Sequence, residues 1–221
     1  LMGGLSALPA QTTGVALRDS NLPIILIDTG GKEIPDLVRI RATMKIIYNG
    51  AGRRNAITDP PNNYDGLIDI ELRGSSSMAY PKKGYRLETV TTAGDNRNVS
   101  LLGMPKENDW ILYASYDDQS LMRNVLAYRI SSEIGRYAPR VKYCELVLNN
   151  NYRGVYVFME KIKQDKNRVN VTELESADIS GDAVTGGYVW KFDKEEGEQT
   201  TGWTSMQGLY YQYHVPKAED L

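Results

Sequence analysis

Leu67-Ile68-Asp69-Ile70-Glu71-Leu72-Arg73 alternates apolar and charged side chains from Ile68 onward. Successive side chains of an extended backbone point to opposite faces. Ile68, Ile70 and Leu72 therefore share one face, and Asp69, Glu71 and Arg73 share the other. This is the pattern of a strand with one buried and one wet side, and it is the clearest in the chain. Gly74-Ser75-Ser76-Ser77 and Pro81-Lys82-Lys83 come next, and residues 84–90 read as a second strand. The two strands make a β-hairpin joined by a flexible, serine-rich connection.

Working upstream, residues 22–28 predict a short buried strand ended by Thr29-Gly30-Gly31-Lys32. Residues 39–48 predict another, with Met44, Ile46 and Tyr48 on one face. Residues 49–66, rich in Asn, Gly, Asp and Pro, predict a long surface loop. Downstream, 91–98 is a polar turn and 110–114 a short strand. Asp117 and Asp118 are N-cap candidates for the one strong helix. Its Leu121, Met122, Val125, Leu126, Ile130 and Ile134 recur at three- and four-residue steps, giving a broad apolar face. Gly135 suits the position just past its end. Strands at 141–148 and 152–161 flank Asn149-Asn150-Asn151, a turn that tolerates positive φ. Residues 187–192 and 210–215 read as late strands. The fold class expected is α+β, a mostly antiparallel sheet with one main helix.

The 221 residues are ample for a hydrophobic core, and 41% hydrophobic with 24% charged residues is ordinary globular composition. Lys and Arg number 26 against 28 Asp and Glu, which gives no electrostatic footprint for nucleic acid. The longest aliphatic run, residues 24–27, is far too short to cross a bilayer. A single Cys, Cys144, excludes an internal disulfide framework and a multi-cysteine zinc site; its parity with Leu146 and Leu148 makes it a core residue. A single His, His214, excludes a two-histidine metal motif and has no identifiable catalytic partner. Fifteen Tyr against two Phe suits half-buried β surfaces and wet interfaces.

Two stretches have chemistry in prospect. Arg73 with Ser75 and Ser76, in a small-residue turn after a strand, is an anion-cradle candidate, because backbone N–H groups and hydroxyls can approach phosphate oxygens there. The plain alternative is a turn. Lys82 and Lys83 flank the same hairpin, and either could face a bound phosphate or water. Glu160-Lys161-Ile162-Lys163, with Asp165, Lys166 and Arg168 behind it, leaves a strand for a loop. It is either a solvated exit or the rim of a nucleotide pocket. Arg123 and Asn124, one turn into the helix, either lie on the surface or point back at the hairpin loop. No GxGxxG, Walker A, HRD or DFG sequence is present.

Three ordered segments carry a resemblance: RGSSSMAYPKKGYRLE (73–88), LLGMPKENDWILYASYDDQSLMRNVLAY (101–128) and YCELVLNNNYRGVYVFMEKIKQDKNRV (143–169). In this order they resemble the CotH kinase family, the spore coat protein H type of atypical protein kinase, over roughly residues 20–215. The resemblance implies a protein-kinase-like amino-terminal lobe, with the hairpin over ATP and the helix steadying the phosphate-binding lysine. It implies that Arg73, Ser75, Ser76, Lys82 and Lys83 lie near phosphates, and Glu160, Lys161 and Lys163 near the adenine or phosphate edge.

In the family the catalytic and Mg²⁺-binding aspartates lie in a second lobe. Nothing matching them precedes Leu221, and Asp193 stands in the wrong context. The expectation is therefore a leader or linker at 1–21 and the amino-terminal part of the domain at 22–221, with no catalytic or metal-ligating residue of its own and no activity alone. The parent would move phosphate from ATP to Ser or Thr of secreted or cell-surface proteins. The alternative is a non-catalytic surface module that binds a protein or a glycan.

Overall fold

The computed structural model describes residues 16–175, 177–192 and 201–216. Most of the expected leader, Asp193 and the charged segment after Pro216 lie outside these residues. In chain order the strands are β1 (Asp19–Ser20), β2 (Ile24–Asp28), β3 (Ile40–Ile47), β4 (Asn55–Ala56), β5 (Tyr64–Arg73), β6 (Gly84–Val90) and β7 (Asp109–Tyr113). Helix α1 (Arg123–Glu133), β8 (Val141–Leu148), β9 (Asn151–Glu160), the short α2 (Asp182–Gly186), β10 (Val189–Lys191), β11 (Gly202–Thr204) and β12 (Tyr210–Val215) follow.

Seven strands close into a barrel in the order β2-β3-β5-β6-β7-β9-β8. Every neighbouring pair is antiparallel except β2 with β8, which runs parallel and closes the ring. The α+β expectation is thereby corrected: the chain is mostly β, and its sheet is a mixed closed barrel, not the open antiparallel sheet of a kinase-like lobe. The difference comes from β2, whose second edge pairs in parallel with β8 from Ile24–Glu145 to Ile27–Leu148, so that its backbone N–H and C=O groups are met on both sides and no edge is left open there.

The alternation that predicted β5 does set its two faces. Ile68 and Ile70 point into the barrel, where Ile27, Met44, Leu87, Trp110, Leu112, Cys144, Leu146, Tyr156 and Phe158 join them. Outside, Arg41 faces Asp69 across β3–β5 and meets it at 2.6 Å. Glu71 faces Arg86 across β5–β6 at 3.0 Å and also holds Arg39 at 3.3 Å. These are cross-strand pairs at register positions, the sheet counterpart of helical charge ladders. The β8–β9 turn is the tight one expected, with Asn149 and Asn150 at φ of 50° and 60°.

Helix α1 is shorter than its apolar pattern and lies against the outside of the barrel. Neither Asp117 nor Asp118 is the N-cap: that position is Met122, without a side-chain cap, and Asp118 reaches forward to accept the Arg123 N–H at 2.9 Å. Gly135, at φ 79°, ends the helix as its position predicts. The broad apolar face divides. Val125 and Tyr128 pack on Ile111, Val157 and Met159, while Met122, Leu126, Ile130 and Ile134 are exposed.

This division makes a two-sided test. Phe158→Ala, inside the barrel beside Trp110 (ring centroids 5.3 Å apart), should cost about 3–5 kcal/mol in urea denaturation. Ile130→Ala, on the outer stripe of α1, should stay within about 0.5 kcal/mol of the parent. Equal losses would mean that the helix is packed the other way round.

Candidate functional site

The barrel has two ends, and the sequence-derived site residues divide between them. At one end, β5 runs out at Arg73, β6 begins at Gly84 and the β8–β9 turn closes over the mouth. Gly74 takes φ 136° with Ser77 Oγ where a side chain would stand, so the chain can turn sharply off β5 into a 3₁₀ turn over Ser76–Ala79. The Met78 and Tyr80 N–H groups are spent on Ser75 and Ser77 carbonyls inside that loop. Arg73, Ser75 and Ser76 thus belong to the strand end and the turn that lead to Lys82 and Lys83, and none of the three lines the cavity described next.

Lys82 and Lys83 go deeper. Both are half-buried, and both line a cavity of about 650 Å³ with Tyr85, Tyr116, Tyr152 and Tyr156. Lys82 Nζ lies 4.5 Å from the centre of the Tyr156 ring and donates to the Val155 carbonyl. Lys83 Nζ donates to the Met78 carbonyl, and the Lys83 carbonyl accepts the Tyr156 hydroxyl at 2.9 Å. Among the described residues no carboxylate reaches either ammonium group within 4.0 Å. Burial pushes the Lys82 ammonium below its ordinary pKa, and the charge of Glu145 only partly opposes this. Glu145 itself is engaged by Ser20 at 2.8 Å and Tyr152 at 2.6 Å. The cavity wall also carries Lys32 and Arg153 against one carboxylate, Glu33. Its chemistry is that of a cationic, aromatic-walled cleft of a size that suits a small-molecule ligand.

Glu160, Lys161 and Lys163 lie at the opposite end. Lys82 meets β9 at Val155, five residues before Glu160, so the two groups are about 16 Å apart along the strand. Glu160 is fully buried and takes the Arg140 guanidinium at 2.8 Å and the Arg140 N–H at 3.0 Å. Lys163 reaches Asp109 at 2.7 Å and Glu107 at 3.2 Å; Lys161 reaches Asp109 at 3.2 Å. The cations of this segment therefore face protein carboxylates.

Arg168 belongs here too, and it is no solvated exit. Its side chain is 1% exposed and stands 5.4 Å from the Trp110 ring. It donates to the Lys161 and Asp109 carbonyls at 2.7 and 2.8 Å and pairs with Glu107 at 3.2 Å. The loop after β9 folds back so that Arg168 plugs this end of the barrel. Glu107, Asp109, Arg140 and Tyr156 were not foreseen. A charged Glu-Asn-Asp before a strand and a tyrosine within one carry no local sign of what they will meet. Arg123 is at the surface, its side chain 81% exposed and 3.7 Å from Asp118. Cys144 is fully buried, as its parity implied, and burial pushes its thiol pKa up. His214 Nε2 rests 3.1 Å from the Ile162 carbonyl. Among the described residues no three His, Cys, Asp or Glu side chains are grouped to hold a metal ion.

Comparison with known proteins comes from two directions. The family model described as "CotH kinase protein" matches residues 70–220. The inner spore coat protein H of Bacillus subtilis (strain 168) is 30% identical over 99 residues, which cover 44% of this chain and 24% of that protein. The matched stretch thus spans about a quarter of that relative.

Asp109 makes the plugged end testable by pH. Burial alone would raise its pKa, but the hydrogen bond from Lys163 and the charges of Lys161 and Lys163 overcome it and bring the carboxyl down to about 2. A depressed carboxyl stabilises the fold above its unfolded value and loses that contribution as pH falls through the folded one. Between about pH 4 and pH 2, unfolding free energy should fall by roughly 2 kcal/mol from this group. Lys163→Met should destabilise the protein at neutral pH by about 2 kcal/mol and flatten the slope in that window. An unchanged acid slope in Lys163→Met would remove the ion pair from the account.

Proposed function

The chain belongs to the CotH kinase protein family, and from that premise we propose that its cationic cleft grips the phosphates of ATP for phosphoryl transfer to Ser or Thr hydroxyls of protein substrates. The observation that carries this reading is the pair Lys82 and Lys83. Two half-buried ammonium groups are held by backbone carbonyls and an aromatic ring, and no carboxylate of the described residues comes within 4.0 Å of either. A half-desolvated cation without a counter-ion is costly at rest and gains most when an anion arrives. Phosphoryl transfer asks of a protein mainly positioning and charge stabilisation, and two lysines at one cleft offer both. The tyrosine walls supply an apolar body for a base, and the about 650 Å³ volume is of nucleotide size.

Each residue has a definite part in this scheme. Lys82 and Lys83 trade their carbonyl acceptors for phosphate oxygens. The hydroxyl of Tyr156, bound to the Lys83 carbonyl, holds the strand start in place. Arg73, Ser75 and Ser76, in the turn that leads to the lysines, would have to swing toward the cavity to reach the outer phosphate. Glu160, Lys161 and Lys163 act from the far end as a clamp that keeps β7 and β9 together, and they do not touch nucleotide. Among the described residues no three carboxylates are grouped for Mg²⁺, and the part of the reaction these residues take is to hold the phosphates. The similarity to an inner spore coat protein supports a place in a coat or at a cell surface. No helix among the described residues is long and apolar enough to cross a membrane.

Titration calorimetry with ATP tests the reading. The parent chain should bind, and Lys82→Met and Lys83→Met should each weaken binding by roughly tenfold or more, the loss expected for one charge-assisted contact. Because Lys82 is a half-buried cation, Lys82→Met should leave the melting temperature unchanged or raise it. ATP affinity that survives both substitutions would move the phosphate site elsewhere. No binding by the parent chain up to about 10 mM would sink the proposal.

A further inference from the structure

The small sheet β10–β12–β11 stands apart from the barrel and carries a face of its own. Trp203 sits opposite Tyr211 and Trp190 opposite Tyr213, so these four rings share one side of the sheet. The other side of β12 presents Gln212, fully buried, and His214, whose Nε2 is 3.1 Å from the Ile162 carbonyl. That side is turned toward the rest of the chain, and the aromatic side is turned away from it.

Trp203 is the hub. It stacks on Tyr211 with centroids 5.4 Å apart and planes 14° from parallel. Trp190 meets it edge-on at 5.0 Å, and Tyr213 lies at 5.3 Å. Phe192 extends the patch, 6.0 Å from Tyr211. Rings in a folded β surface are normally shared with a core, yet Trp190 is 55% and Phe192 68% exposed. This is a contiguous, preassembled aromatic surface with nothing of the described chain above it, and such surfaces mark binding sites.

We propose that this face is a stacking platform for a neutral oligosaccharide. The C–H face of a sugar ring carries partial positive charge and meets the negative face of an aromatic ring, while tyrosine hydroxyls and indole N–H groups serve its hydroxyls at the edge. Charge decides against the other flat or extended ligands. The three strands hold one cation, Lys191. Residues 193–200, which join β10 to β11, contain four carboxylates and one lysine. Nucleic acid stacks on aromatic platforms only where cations follow its backbone, and anionic bilayers demand basic residues. A neutral sugar meets neither requirement and suffers no repulsion. Three strands at ordinary spacing give a platform about 10 Å wide, room for roughly two sugar rings. The rings already lean on one another, so binding freezes few further rotamers. The platform is separate from the lysine cleft, and the proposal does not rest on the ATP reading.

The test is titration calorimetry of the whole chain with cellohexaose and with the N-acetylglucosamine hexamer. Saturable binding of one of them is expected. Trp190→Ala and Phe192→Ala should each weaken it roughly three- to tenfold, what one lost ring contact is worth, with melting temperature unchanged. Lys82→Met should leave it as it was. No saturation by either sugar up to about 10 mM, or affinity untouched by both ring substitutions, overturns the proposal. So does preferential binding of oligothymidylate or of phosphatidylcholine vesicles. Self-association that disappears in Trp190→Ala overturns it as well, by giving the face to a second copy of the chain.

Discussion

A ring with an odd number of strands cannot be antiparallel all the way round; one neighbouring pair must run the same way. In this seven-stranded barrel that pair is β2 with β8, and the rest of the architecture depends on it. It joins segments far apart in the chain. Ser20, just ahead of β2, donates to Glu145 in β8 across 125 positions. Closure by so distant a contact has a large entropic cost before it is rewarded, which points to late closure in folding. What rewards it is an interior with no open edge, where every strand gives alternate side chains to one core. The family match begins at residue 70, inside β5, so β2 and β3 complete the barrel from outside the matched segment.

The two ends of the barrel then solve opposite problems with the same residue types. At the plugged end, Lys161, Lys163, Arg140 and Arg168 are matched to Asp109, Glu107 and Glu160, and burying them is tolerable because each has a partner. At the open end, Lys82 and Lys83 are shielded without such partners. A protein selected for stability alone has little reason to keep that second arrangement, and it leaves the open end suited to an anion. The distinction lies in the pairing, since the number of basic residues at the two ends is similar.

What could be read beforehand was the local part. Period-two alternation located β5 and its inward face, the Asn149–Asn150 pair its tight turn, Gly135 the helix end, and the parity of Cys144 its place in the core. Closure was not legible, because residues 22–28 look the same whether they lie at an edge or between two strands. Nor was the division of α1: Leu126 and Ile130 satisfy a helical period as well as Val125 and Tyr128 do, and only the barrel wall decides which side is covered. The site was half legible. Lys82 and Lys83, adjacent in sequence, line one cavity. Glu160, Lys161 and Lys163 lie at the other end, because the strand from Asn151 to Glu160 carries the chain across the barrel, a span that local sequence does not show. Arg168 was invisible as a buried group, since its cover comes from Trp110 and Glu107, both distant in sequence.

The charges on the outer wall have one more consequence. A strand barrel that spans a membrane turns apolar side chains outward to lipid and keeps polar ones within. Here the polarity is reversed. Arg41 and Asp69, Glu71 and Arg86, and Arg39 between Glu71 and Glu88 cover β3, β5 and β6 on the outside, and isoleucine, leucine and aromatic rings fill the inside. In hydrocarbon those ion pairs would lose the water that screens and solvates them, and the filled interior would conduct nothing. Closed strands alone do not tell a pore from a packed core; here the charges turn the β3–β5–β6 side of the wall to water or a polar partner, while helix α1 covers the apolar side at Ile111, Val157 and Met159.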